Sequence, residues 1–269
     1  MINMRNWLKR NHLRRKVGLF CYRIIAPMSG FLIALMALPA YIRFLADWRL
    51  FRMAGGHATV LEIYPCLHDR ATETAIDSHY FFQAIWAFKR ILSSDPIFHV
   101  DVGSDVRFVG MLTTITNVIF VDIRPLQVNL ENYEGEKGSI LDLPYLDGSI
   151  QSLSCLHVIE HVGLGRYGDP IDPQGSLKAA IELQRVLAPG GRLYLSVPIG
   201  ITRVQFNGQR IFSVSDVLTM FNRLRILELS IVNTDGKFTE NISADNVILQ
   251  DGHGNDYGLG MFLFAAPEI

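Results

Sequence analysis

The sequence contains few cysteines and has almost no net charge. Three cysteines occur, Cys21, Cys66 and Cys155, and they lie far apart, so neither a CxxC pair nor a disulfide framework is indicated. This pattern fits a reducing, cytoplasmic compartment. The formal net charge of -1 does not indicate a nucleic acid partner, and we expect none.

Acidic residues are missing from the N-terminal segment. Residues 1–23 contain seven arginines and lysines, and residues 24–42 (IIAPMSGFLIALMALPAYI) then contain no charged residue. This length could span a bilayer, but Pro27 and Pro39 interrupt the apolar run. We therefore predict that residues 5–45 contact a membrane surface, so that a cytoplasmic protein is membrane-associated through this helix. The alternative is a helix that packs on the rest of the protein.

Strands and helices are predicted to alternate from residue 97 onward. Segments such as IFHVDV and NVIFVDI are typical of buried strands, whereas SLKAAIELQRVL has helical spacing and is followed by the helix-ending sequence APGG. This alternation predicts an α/β fold with a mostly parallel sheet. We divide the chain into a helical extension, residues 1–55, and a domain over residues 56–269 whose head region is residues 56–97.

Polar residues follow the predicted strands at the point where each strand ends. The first strand ends in Asp101, followed closely by Gly103 and Ser104, and the second ends in Asp122, 21 residues after Asp101. The next turn carries Asp142. Ligands of such sheets bind beyond the carboxyl ends of the strands, and an acid about 20 residues after the first loop is well placed for ribose hydroxyls. These positions predict a nucleotide-type site.

Two longer runs make the sequence similar to a known superfamily. ILDLPYLDGSIQSLSCLHVIEHV and ELQRVLAPGGRLYLSVP resemble the class I S-adenosylmethionine-dependent methyltransferases, over residues 97–230 and, loosely, 258–267. YPCLHDR, HVDVGS and DIRPL also resemble a narrower family known only as a domain of unknown function. The superfamily resemblance implies a Rossmann-like, doubly wound, seven-stranded sheet whose last strand is antiparallel.

The same resemblance implies an activity and a set of site residues. The activity is methyl transfer from S-adenosylmethionine to a small-molecule, glycan or membrane-proximal lipid acceptor. Gly103 would allow the cofactor to approach, Asp101 would lie near its amino-acid end, Asp122 would bind ribose and Asp142 would face the adenine amino group. The implied cofactor-binding set is Asp101, Gly103, Ser104, Asp122, Asp142, Leu143 and Leu156.

Two histidines are candidates for the catalytic chemistry. Residues 156–161 would line the methyl-transfer pocket, and an oxygen acceptor would need a base, for which His157 or His161 is the nearest candidate. Glu160 would orient or cap rather than attack. The structural alternative is that either histidine is an ordinary hydrogen-bonded residue.

The predicted cofactor loop departs from the pattern of the superfamily. Asp105 and Arg107 occupy the places where the second and third glycines usually lie, so side chains would reshape the loop. Asp105 would add negative charge, which Arg107 could offset. The alternative function is therefore a catalytically degenerate, methyltransferase-like scaffold or binding protein at a membrane.

Other readings of the sequence are weaker. HVIEH matches the HxxEH zinc-peptidase pattern, but the glycine-rich VGLGRYGDP that follows is a poor helix, so we predict no metal site. A nicotinamide oxidoreductase fits poorly with the order of the later segments. Residues 233–257 form a second candidate substrate loop. Six head residues could act on a substrate or simply form a hydrogen-bonded turn, namely Tyr64, His68, Asp69, Arg70, His79 and Tyr80.

Overall fold

The computed structural model describes residues 38–67, 69–70, 72, 74–243 and 257–268. The chain divides into two compact units, Met1–Ala75 and Ile76–Ile269. In the first unit, helix α1 (Leu38–Met53) contains no buried residue, and a short 3₁₀ turn follows at Val60–Glu62.

The predicted membrane-contacting segment falls largely outside the described residues. Residues 5–37 are not among them, and residues 38–45 form the first part of α1. Within the ranges that the structure describes, no helix has both the length and the apolar character needed to cross a bilayer.

The second unit alternates strands and helices, as the sequence predicts. Its helices are α2 (Ser78–Ser94), α3 (Val106–Leu112), α4 (Gly175–Val186) and α5 (Val214–Met220), with a 3₁₀ turn at Ile159–His161. Its strands are β1 (Phe98–Val102), β2 (Asn117–Asp122), β3 (Tyr133–Lys137), β4 (Ile150–Leu156), β5 (Leu187–Ile199), β6 (Arg203–Gln205), β7 (Gln209–Ile211), β8 (Arg225–Val232), β9 (Phe238–Thr239) and β10 (Gly258–Ala265).

The main sheet confirms the predicted fold class. Its strand order is β3-β2-β1-β4-β5-β10-β8-β9, and β6 and β7 form a separate pair. The first five strands in this order are parallel to one another, while β10 is antiparallel to both β5 and β8. The sheet has an eighth strand because the two-residue β9 pairs with β8 at one edge. Strand order reverses between β1 and β4, which is where ligands bind in doubly wound sheets.

Helix α2 packs through a different face from the predicted one. Trp86 and Ile91 are fully buried, whereas Tyr80 and Phe81, which share a face in the helical spacing of residues 80–88, are 38% and 47% exposed. Apolar residues occur on nearly every side of this helix, so their spacing alone could not select the buried side.

Some sequence patterns marked the ends of helices and strands correctly, and others did so only in part. Ser213 caps α5 through a capping box with Asp216, as the serine before that helix predicts. Helix α4 ends at Val186, but APGG lies within the first part of β5, where the pairing with β4 shifts register. Strand β3 (YEGEK) was missed because an exposed, polar edge strand carries no apolar pattern.

Candidate functional site

A cavity lies at the carboxyl ends of β1, β2 and β4. We call it the main cavity; its volume is about 390 Å³, within the range of small-molecule sites. A second, more open cavity of about 450 Å³ adjoins it and shares Gly103, Asp122 and Arg124 with it. The other walls of the main cavity include residues 138–141, residues 167–170, His157, Val158, His161 and Val162.

Gly103 forms part of the floor of the main cavity, where a side chain would not fit easily. Its φ is +72°, and a Cβ atom at this position would lie 3.2 Å from Val158 Cγ1 and 3.5 Å from Asp122 Oδ2. The backbone is anchored there because Gly103 N–H donates to the Val121 carbonyl at 3.0 Å. A left-handed backbone and a crowded Cβ position both require glycine.

Asp122 ends β2 beside this glycine. Its carboxylate is half-buried and lines both cavities. Asp122 Oδ1 accepts a hydrogen bond from Arg124 N–H at 2.6 Å, while Oδ2 lies on the side of Gly103. The carboxylate therefore holds its own turn with one oxygen and presents the other toward the cavity floor.

Asp101 and Ser104 lie behind the loop. Asp101 is fully buried, accepts a hydrogen bond from Ser104 N–H at 3.0 Å and accepts another from the Ser154 hydroxyl. The Ser104 hydroxyl accepts in turn from Leu156 N–H at 3.0 Å, and Leu156 is itself buried. Asp101 therefore shapes the loop, and its side chain is fully buried; its expected place near the amino-acid end of the cofactor stays a prediction.

The hydrogen-bond chain behind the loop continues to His99. Burial lowers the pKa of His99 to about 3, so its ring is neutral. Since Ser154 donates to Asp101, its oxygen accepts from His99 Nε2 at 2.8 Å, and His99 Nδ1 then accepts from the Ser152 hydroxyl at 2.7 Å. Burial raises the pKa of Asp101 from 3.8 to about 6, although hydrogen bonds from Ser154 and Ser104 oppose this.

This raised pKa predicts a pH-dependent stability. The pKa of Asp101 is higher in the folded state, about 6, than its ordinary value of 3.8. Its protonated form therefore stabilises the fold fully below pH 3.8, and this contribution is lost as the pH rises through about 6. We expect the free energy of unfolding of the wild type to fall relative to Asp101→Asn over this window, on the order of 2 kcal/mol. Urea unfolding of both proteins at a series of pH values measures the difference; a difference that does not change with pH would contradict the assignment.

Asp142 and Leu143 do not join the cavity. Asp142 is exposed on a turn where its N–H donates to the Ser139 carbonyl at 3.0 Å. Leu143 is buried, and its N–H donates to Glu182 Oε1 at 2.7 Å. Ser139, Ile140 and Leu141, which precede them in the same turn, line the main cavity instead.

The altered loop positions form a closed ion pair. Asp105 caps α3 by accepting from Arg107 N–H at 2.8 Å, and the Arg107 guanidinium contacts both of its carboxylate oxygens, at 2.9 and 2.8 Å. This contact lowers the pKa of Asp105. The prediction that Arg107 offsets the charge of Asp105 is confirmed.

His157 and His161 both line the main cavity, on either side of Glu160. His157 Nδ1 is hydrogen-bonded to Glu160 Oε1, and His161 Nδ1 donates to the Gly208 carbonyl at 2.7 Å. Burial lowers the pKa of His161. The intervening residues form a 3₁₀ turn rather than the helix that a zinc peptidase motif needs, and the described part of the chain contains no group of three or more metal-ligating side chains.

The structure separates the head residues that sequence reasoning grouped together. His79 and Tyr80 lie next to His157, with ring centroids 6.0 and 5.2 Å from its imidazole. Tyr64, Asp69 and Arg70 belong to the other unit, and His68 lies outside the described residues. Residues 244–256 of the second predicted substrate loop also lie outside them, while Tyr257 contacts the His79 ring at 5.6 Å.

A loop that sequence reasoning missed forms one wall of the main cavity. Asp169 organises it by accepting hydrogen bonds from the N–H groups of Gly163 at 2.6 Å and Tyr167 at 3.3 Å. Buried Arg210 holds both ends of the loop, since its guanidinium donates to the carbonyls of Val162 and Asp172. The only sequence signal was the glycine-rich VGLGRYGDP, which we read as a poor helix.

Comparisons with known proteins support this fold. A family model described as Caenorhabditis protein of unknown function, DUF268, matches residues 145–244, in agreement with the predicted resemblance to a family of unknown function. A search of curated protein sequences found no match.

Two solved structures illustrate the likeness. The [4+2]-cyclase SpnF is 14% identical with a TM-score of 0.53, and the match covers 87% of this chain and 97% of SpnF. A candidate sarcosine dimethylglycine methyltransferase from Galdieria sulphuraria is 14% identical with a TM-score of 0.51, covering 70% of this chain and 86% of that one. The fold is that of the class I S-adenosylmethionine-dependent methyltransferases. One neighbour is named as a cyclase and the other as a methyltransferase, so the fold alone does not assign the reaction.

Proposed function

We propose that this protein binds S-adenosylmethionine in the main cavity and transfers its methyl group to a small-molecule, glycan or membrane-proximal acceptor. The observation that carries the proposal is the pairing of Gly103 with Asp122 at the point where strand order reverses. Gly103 has a left-handed backbone with little space at its Cβ position, and it lies beside a half-buried carboxylate. This arrangement suits a ligand that approaches the protein backbone and donates its hydroxyl groups to the carboxylate.

The residues at the main cavity fit such a ligand. The Asp122 carboxylate accepts hydrogen bonds, which suits the two ribose hydroxyls, and Gly103 lines the cavity with backbone alone. Ile123 and Leu141 supply apolar walls for a flat base. S-adenosylmethionine, when bound, supplies a methyl group activated by the sulfonium. The protein's contribution is to hold the two reactants in line and to exclude water.

The replacement of two loop glycines by Asp105 and Arg107 is an objection to this proposal, and the ion pair between these residues removes it. Asp105 uses its carboxylate on the first turn of α3 and on Arg107, whose side chain is 82% exposed. The two residues that replace glycines therefore pair with each other, so the charge of Asp105 is offset although Asp105 lines the second cavity.

Calorimetric titration of the full chain with S-adenosylmethionine and S-adenosylhomocysteine tests the proposal. We expect dissociation constants in the micromolar range for both compounds. Absence of binding by a protein shown to be folded by circular dichroism would overturn the proposal and favour the non-catalytic scaffold function.

We also propose that the N-terminal segment binds anionic membrane surfaces. Residues 1–23 contain basic but no acidic residues, and in α1 the side chains of Leu50 and Phe51 are 61% and 55% exposed. A basic segment that precedes a helix with exposed apolar residues in the sequence suits the interface of a bilayer that contains anionic lipid.

Vesicle sedimentation of the full chain tests this membrane contact. We expect it to sediment with phosphatidylserine-containing vesicles, and R14Q/R15Q to sediment less. The matched control R223Q/K237Q removes two exposed basic residues of the other unit and should behave as the wild type. Equal sedimentation of both variants, or none by the wild type, would contradict the proposal and favour a helix that packs on protein.

A further inference from the structure

Two buried polar atoms beside the main cavity have no hydrogen-bond partner among the described residues. They are His157 Nε2 and Glu160 Oε2. The side chain of His157 is 6% exposed, that of Glu160 is 0% exposed, and His157 lines the cavity. Buried polar atoms are almost always hydrogen-bonded, so an unpartnered pair at a cavity indicates a ligand that completes it.

The contact between these residues determines which ring nitrogen carries the proton. With Glu160 as a carboxylate, Oε1 accepts and the His157 Nδ1–H group donates to it. In the neutral ring, Nε2 then carries a lone pair. A ligand that completes His157 must therefore supply a hydrogen-bond donor.

The backbone and the neighbouring rings hold the imidazole in this orientation. His157 has a φ of +61°, and its N–H donates to the Ser196 carbonyl at 3.0 Å. The Tyr80 ring stacks on the imidazole with an interplanar angle of 18°. Strained, non-glycine backbone positions of this kind cluster at functional sites.

The two neighbouring histidines are held differently from His157. Burial lowers the pKa of His79 to about 4, and its ring stacks on His157 at 6.0 Å rather than reaching Glu160. His161 uses Nδ1 to donate to the Gly208 carbonyl, and its Nε2 lies 3.8 Å from Glu160 Oε1. Of the two candidate histidines, His157 is the one that a carboxylate orients through Nδ1.

We infer that His157 is the base for a hydroxyl acceptor and that Glu160 is its positioning residue; this rests on the proposed function. The acceptor O–H donates to His157 Nε2 and transfers its proton there as the oxygen forms a bond to the methyl carbon. The bond between that carbon and the sulfonium breaks, and its electron pair stays on sulfur. Glu160 stabilises the resulting imidazolium. Alcohols and phenols hold their proton more tightly than thiols, so they are the acceptors that need such a base.

Nitrogen NMR of the full chain, labelled with ¹⁵N-histidine, tests the orientation without any turnover. The His157 signals are identified by their loss in His157→Asn, since asparagine tolerates the left-handed backbone. At a pH above the ordinary range of histidine pKa values, we expect His157 to carry a proton on Nδ1 and none on Nε2. A proton found on Nε2 under these conditions would overturn the inference, and this reading needs no variant to fold other than the one used for assignment.

Phenol and anisole then test the acceptor class, because they share a ring but only phenol can donate a hydrogen bond. In protein saturated with S-adenosylhomocysteine, we expect phenol to shift the His157 Nε2 signal and anisole not to. The His157→Asn variant should bind phenol about tenfold more weakly or worse, and Glu160→Gln should also weaken it, whereas His57→Asn in the other unit should not. Equal effects of phenol and anisole would overturn the base assignment.

The two proposals fail in different ways. Absence of S-adenosylhomocysteine binding removes the proposed function, while the tautomer of His157 is measured on the unliganded protein. If S-adenosylhomocysteine binds but His157 carries its proton on Nε2, or if phenol causes no response, the assignment of His157 as base is overturned. The proposed cofactor site is then unaffected.

Discussion

Replacing Asp122 with alanine is expected to weaken the binding of S-adenosylmethionine about tenfold or more, which equals about 1.4 kcal/mol. The carboxylate lines both cavities, and its Oδ2 lies beside Gly103 at the cavity floor. Two ribose hydroxyls that donate to this carboxylate would lose an ionised acceptor, and hydrogen bonds to charged groups are the stronger ones. Isothermal titration calorimetry measures the change directly.

Two further variants separate binding from local folding. Asp122→Asn keeps an oxygen that can accept from Arg124 N–H, so it preserves the turn while it removes the charge. We expect it to lose affinity although its unfolding midpoint stays close to that of the wild type. Asp235→Ala removes an exposed carboxylate on the turn between β8 and β9 and should change neither quantity. Wild-type affinity in Asp122→Ala would refute the ribose assignment.

Replacing Gly103 with alanine is expected to lower both stability and affinity. A non-glycine residue in the left-handed region costs about 1 to 2 kcal/mol. The added methyl group would also lie 3.2 Å from Val158 Cγ1 and 3.5 Å from Asp122 Oδ2, in the part of the floor that the ligand must approach. We therefore expect affinity for S-adenosylmethionine to fall about tenfold or more in addition to the loss of stability.

Gly148 offers a matched control for this substitution. Its φ is +63°, and an added Cβ would meet only Pro189 Cδ, at the ordinary distance of 3.8 Å. Gly148→Ala should therefore show a similar loss of stability in urea unfolding, but bind the ligand as the wild type does. Equal affinities for the two alanine variants would mean that Gly103 serves the fold and not the ligand.

Much of the fold could be predicted because its signals are local. The β-branched run of β2 and the helical spacing of α4 each specify an element without reference to the rest of the chain. Alternation of such elements leaves few arrangements other than a mostly parallel sheet. Strand β3 was missed because a polar edge strand carries no apolar pattern, and the buried face of α2 could not be read from the sequence because apolar residues also lie on its exposed side.

The candidate site could be predicted only in part. The position of Asp122 follows from the rule that polar residues at the carboxyl ends of parallel strands meet at one edge of the sheet. The same rule placed Asp101 and Asp142 there too, yet Asp101 is fully buried and Asp142 lies on an exposed turn. Burial of an individual side chain depends on what packs over it, and Ser154, which covers Asp101, is 53 residues away in the chain.

The sequence by itself determined the α/β fold and the strand ends that form the cavity. Periodicity and turn chemistry act over a few residues, so they can be read along the chain. Only the tertiary structure decided that His157 lines the cavity, with Glu160 on its Nδ1, Tyr80 stacked on its ring and no partner for Nε2 among the described residues. That cluster joins α2 to the end of β4, and contacts between elements so far apart in sequence arise from packing, for which no local pattern exists.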